Sequence, residues 1–159
     1  MLAPYEFQFH GQTLPIFVPA DAALKSFFTG FKITIEDYKQ FVRWEIDQLN
    51  AEIQESPDEC WTGPVSNRKS AMNNKLDELK ELIASGAFNE AYDKLFHDIK
   101  PKLTGLKTNE NEIPWGNGVF NNPWVTCPDL QEAFREKCNE ILFLLTVLMN
   151  YKPDTGISL

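Results

Sequence analysis

A chain of 159 residues with a formal net charge of −8 can build one core, and it is too acidic to compete for nucleic-acid phosphates or anionic lipid. Its hydrophobic fraction of 43% and aromatic fraction of 13% exclude a chain disordered throughout. The charge fits a soluble protein and also suits a basic partner.

The opening stretch MLAPYEFQFH has neither a basic start nor a long apolar run, so no signal peptide is expected there. Tyr5 to Phe9 alternates large and polar side chains, and Leu14 to Val18 reads as its partner strand across the turn HGQT. Pro15 suits an edge position. A short helix is expected from Pro19, ended by Gly30. Thr34 followed by Asp37 predicts a capping box and a helix over Ile35 to Gln54. Tyr38, Phe41, Val42, Ile46, Leu49 and Ile53 share its apolar face, with Trp44 at the flank.

The stretch ESPDECWTGPVSN breaks this pattern with two prolines and a glycine, and it is the best candidate for an internal boundary. A helix then runs from about Arg68 to Ala84 with Met72, Leu76, Leu79, Leu82 and Ile83 on one face. After the tight turn SGAF, Phe88, Ala91, Tyr92, Leu95, Phe96 and Ile99 mark another helix, expected to end before Pro101. The last helix is expected from Pro128, a favoured first-turn residue, to about Tyr151. Its buried stripe comprises Leu130, Phe134, Cys138, Ile141, Leu142, Leu145 and Leu148, and the tail after Tyr151 is expected to fray. Its apolar run Ile141 to Met149 is too short to span a bilayer, so no membrane insertion is expected.

Short connections between long helices imply antiparallel neighbours. The expected fold is therefore mainly α, an antiparallel three- to four-helix bundle with a short N-terminal β-hairpin. Residues 1–57 hold the hairpin and its helices. Residues 58–159 hold a three-helix bundle with an aromatic loop over 106–127.

The segments NRKSAMNNKLDELKELIASGAFNEAYDKLFHDIKPKLTG and NPWVTCPDLQEAFREKCNEILFLL resemble small helical accessory modules of secreted and surface proteins, of the FIVAR and FIMAH kind. The features that carry the resemblance are Asn67-Arg68-Lys69, Asn74-Lys75-Leu76, SGAFNEAYDKL, DIKPK and the Trp124 before the last helix. It covers about residues 67–147. It implies a spacer or interaction unit with an extracellular or surface location, while a cytoplasmic one stays open.

Two histidines and three cysteines without C-x-x-C spacing offer no zinc pattern, so no metal and no cofactor is expected. TNENE places oxygen ligands at alternate positions but lacks the glycine and distal glutamate of a calcium loop. Cys127 directly precedes a helix, where a dipole would favour its thiolate. Topology favours another role, because the helix starts after Cys60 and after Cys127 fall at one end of an up-down-up bundle. A Cys60–Cys127 disulfide is the hypothesis, closing a loop worth about 4 kcal/mol of chain entropy, and in a reducing compartment both thiols would stay free. Cys138 lies on the apolar stripe and reads as a small buried hydrophobe.

The loop NEIPWGNGVFNNPWVTC divides in two. Trp124, just before the last helix, reads as a packing plug. Trp115 and Phe120, beside Gly116 and Gly118, read as partner contacts. No nucleophile–base pair can be named, so the leading expectation is a non-catalytic module that binds a protein partner. The alternative is a small acidic inhibitor or immunity-type protein that captures a basic partner. The oligomeric state is left open.

Overall fold

The computed structural model describes residues 34–105 and 123–151 with their side chains, and the backbone alone of 4–9 and 12–17. Pro4–Phe9 (β1) and Gln12–Phe17 (β2) run antiparallel, in register from Pro4↔Phe17 to Phe9↔Gln12. The helix expected between Pro19 and Gly30, the tail after Tyr151, and both Trp115 and Phe120 lie outside the described residues.

The helices form an antiparallel bundle. The first, Ile35–Glu55 (α1), starts at the expected capping box. Asp37 N–H donates to Thr34 Oγ1 at 3.1 Å, and Thr34 N–H donates to Asp37 Oδ2 at 3.2 Å. Phe41, Val42, Ile46, Leu49 and Ile53 are buried on α1, whereas Trp44 stacks on Phe41 and stays 38% exposed.

The second helix, Val65–Ala84 (α2), begins three residues before the expected Arg68. Gly63, at φ +66°, turns the chain, and Pro64 precedes the first helical residue with a φ already suited to the helix. Its C-terminus closes in a Schellman motif at the expected SGAF turn. Ala87 N–H reaches Leu82 O at 2.9 Å, Gly86 N–H reaches Ile83 O at 3.1 Å, and Gly86 adopts φ +83°.

Phe88–Asp93 (α3) leads without a break into a π-helical turn, Lys94–Ile99, and then into Lys100–Thr104 (α4). The helix therefore does not end before Pro101. Lys100 N–H reaches back five residues to Leu95 O. The wider turn shifts the carbonyl ladder just where proline brings a ring and no donor. Pro101 then follows directly on the π turn, as the second residue of α4, where the shifted ladder accommodates a residue without an N–H.

The last helix, Pro128–Met149 (α5), buries Phe134, Cys138, Ile141, Leu142, Leu145 and Leu148 of the expected stripe, while Leu130 is half-buried.

Cross-helix contacts fix the order. Lys39 Nζ lies at Ala84 O and Gln54 Nε2 at Lys69 O, so α1 and α2 run antiparallel. Glu78 and Lys75 of α2 meet Lys94 and Asp98 of the π turn. Lys137 of α5 pairs with Glu45 of α1 at 3.0 Å and closes the ring. One hydrophobic cluster runs from Val42 through Leu76, Leu95 and Phe134 to Leu148. Residues 56–64 thus connect two helices of a single core, and α1 is its fourth helix.

Phe134 is fully buried among the largest core side chains. Phe134→Ala should cost about 3–5 kcal/mol of unfolding free energy in urea titration, and Trp44→Ala well under half of that. Equal losses would overturn this placement of the core.

Candidate functional site

One end of the bundle gathers the C-termini of α1 and α4 and the N-termini of α2 and α5. Both connections there run through it, and their backbones pair. Cys60 O accepts from Thr126 N–H at 2.7 Å, Trp61 bridges Val125, and Thr62 N–H donates to Trp124 O at 2.8 Å. The Cys60–Cys127 disulfide closes this ladder with Cα atoms 5.1 Å apart, so the pairing expected from topology is formed. Cys138 is a buried thiol in the core, as its place on the stripe predicted.

Buried cations finish the helix ends. No basic residue lies in the last turn of α1. Lys69 of α2 supplies one, donating to Gln54 O at 3.2 Å, Ser56 O at 2.7 Å and Asp58 Oδ1 at 2.8 Å. These contacts satisfy carbonyls that a helix C-terminus leaves open and complement its dipole. Trp61, 6% exposed, lies under Lys69 with its ring centre 5.8 Å from Nζ. Its indole N–H donates to Ser56 Oγ at 2.8 Å. Arg135 of α5 does the same for α4, donating to Thr104 O at 3.0 Å and Gly105 O at 3.3 Å.

Trp124 is half-buried against the core, between the guanidinium of Arg68 at 5.5 Å and Lys102 Nζ at 5.8 Å from its ring centre. Its backbone N–H donates to Lys102 O at 2.7 Å. Gly105, at φ +70°, and Pro123 flank the segment 106–122. A Cβ on Gly105 would sit 3.4 Å from Pro123 Cγ, so the segment leaves and rejoins the bundle at one point.

Asp98, in the π turn, is nearly buried and meets Lys75 at 2.7 Å, Lys94 at 3.5 Å and Lys102. Burial disfavours its charge, but hydrogen bonds from Lys102 and Lys75 outweigh that and hold its carboxyl below the usual carboxylate range. The sequence reading gave Lys69, Asp98 and Arg135 no role as buried charges. Their signal was position. Lys69 continues the 72–76–79–83 ridge, Asp98 sits beside Ile99, and Arg135 beside Phe134.

A polar groove of about 510 Å³ opens between the end of α1 and the start of α2, lined by Gln54, Asp58, Ser66, Lys69, Ser70 and Asn73. The buried amine of Lys69 already gives three hydrogen bonds to protein acceptors, which is the full donor complement of its group. The groove therefore has no spare buried cation from Lys69 to hold a ligand. Among the described residues no group of His, Cys, Asp and Glu is arranged to hold a metal, and no helix is long and apolar enough to cross a membrane.

Comparison with family models, with curated proteins and with solved structures returns no match.

In denaturant without reductant, thiol titration should find one reactive cysteine, rising to three after reduction; three at the outset would rule out the disulfide. Reduction should lower stability by about 4 kcal/mol. Asp98 adds a pH dependence. Its folded pKa is depressed, so its contribution is complete above the unfolded value near 3.8 and is lost as pH falls through the folded one. Asp98→Asn should therefore destabilise the protein at pH 6, and the gap to the parent chain should narrow steadily below about pH 4. A gap independent of pH would show that the charge of Asp98 is not what stabilises.

Proposed function

We propose that the chain is a non-catalytic helical interaction module of an extracellular or surface protein, and that it works by presenting the segment 106–122 to a protein partner. The observation that supports it most is the joining of that segment's two flanks. Gly105 meets Pro123, Trp124 is tied to Lys102 and Thr62, and a disulfide stands three residues further on. Long loops held at both ends are more often functional than incidental. Trp115 and Phe120 are the contact residues of the proposal, and Trp124 is its anchor. Disulfides persist in oxidising compartments, which supports the location. The FIVAR- and FIMAH-like pattern over residues 67–147 supports the class. A hairpin at the N-terminus that packs on the bundle completes the architecture we propose.

The net charge of −8 favours a second reading, a free-standing acidic inhibitor or immunity-type protein that captures a basic partner.

The double variant Trp115→Ala/Phe120→Ala tests the first reading. It should melt within about 2 °C of the parent chain, because it removes contact residues and no core. In pull-downs from source-organism extract, read by mass spectrometry, it should lose proteins that the parent chain retains. A drop of more than about 5 °C would make these residues structural, and an unchanged set of captured proteins would remove them from any interface.

A further inference from the structure

The outer face of α5 is organised differently from the bundle end. Asp129, Glu132, Glu136, Glu140 and Phe143 follow one another at helical spacings of three and four, and all five are exposed. They form a ridge about 21 Å long at a rise of 1.5 Å per residue. Phe143 is 64% exposed, the most exposed of the large hydrophobic side chains described. Within α5, Lys137 stands at the inner edge of the ridge, 3.9 Å from Glu140, with its shorter contact to Glu45 at 3.0 Å.

We propose that this ridge is a docking face for a cationic amphipathic segment of a partner protein, with Phe143 as the apolar anchor and the carboxylates as its charged rim. An aromatic anchor set among polar residues is a common arrangement at protein interfaces. The charge selects the occupant. Nucleic acid and anionic lipid are repelled by a row of carboxylates. A second copy of this chain brings the same ridge and a net charge of −8, so it too is repelled. A helix carrying Lys or Arg at intervals of three and four matches the spacing of the carboxylates and can place an apolar residue on Phe143. The proposal does not use the segment 106–122, and its failure would leave the reading of that segment untouched.

The probe is a fluorescein-labelled amphipathic peptide of lysine and leucine about five helical turns long, titrated at low salt and read by fluorescence anisotropy. Glu136→Lys/Glu140→Lys should weaken binding about tenfold or more, and Phe143→Ala by a comparable factor. Asp77→Lys/Glu81→Lys makes the same change in net charge at exposed positions on α2, away from the ridge, and should alter binding by less than about twofold. Trp115→Ala/Phe120→Ala should leave it unchanged. Circular dichroism checks folding. Where the charge reversal fails to fold, Glu136→Gln/Glu140→Gln removes the charges while keeping the helix propensity. Equal weakening by the two reversal pairs would show attraction to net charge alone and overturn the proposal, as would unchanged binding by Phe143→Ala.

Discussion

The short ladder between residues 60–62 and 124–126 holds the end of the bundle together. Trp61 and Val125 are buried there, and a buried connection must find partners for its backbone groups. Each connection supplies them to the other, through Cys60 O with Thr126 N–H and Thr62 N–H with Trp124 O. Neither could be buried alone without leaving those groups unpaired. The Cys60–Cys127 bond then removes conformations from the unfolded chain that would separate the two. With this end closed, α1 and α5 lie side by side, and the flanks of 106–122 meet.

The same end explains where the positive charge goes. Lys69 and Arg135 are buried against the last carbonyls of α1 and α4, and Lys75, Lys94 and Lys102 converge on Asp98. These cations neutralise groups inside or between helices, so they add little to the outer surface. The exterior of α5 is left acidic. Among the described residues the charge is thus unevenly spread, with these cations drawn into helix joints and the carboxylates of α5 turned outward.

The π turn links these features. Its extra residue keeps one continuous helix through Pro101, which carries Lys102 and Thr104 to the end of the bundle. There Lys102 O binds Trp124 N–H, and Thr104 O receives Arg135. A helix stopped before Pro101 would leave Trp124 and Arg135 without these acceptors. The turn also places Asp98 within reach of three lysines, which offsets the burial of its charge.

Local chemistry was enough to read most of the helices. Thr34 and Asp37 cap α1 within one turn, Gly86 ends α2 because a left-handed residue is needed there, and the apolar spacings of α1, α2 and α5 mark faces that are buried. The Cys60–Cys127 pairing was legible too, because helix order and short loops place both residues at one end. The sequence by itself thus determined the helical class and three of the helix faces, and it placed Cys60 and Cys127 at one end, while the structure shows them bonded. Only the tertiary structure decided that Pro101 lies within a helix, that α1 shares a single core with residues 58–151, and that Lys69, Asp98 and Arg135 are buried. The physical reason is range. Caps and periodicity act within a few residues, whereas a buried charge is stable only when its acceptors come from other helices, and those meet only in the assembled bundle.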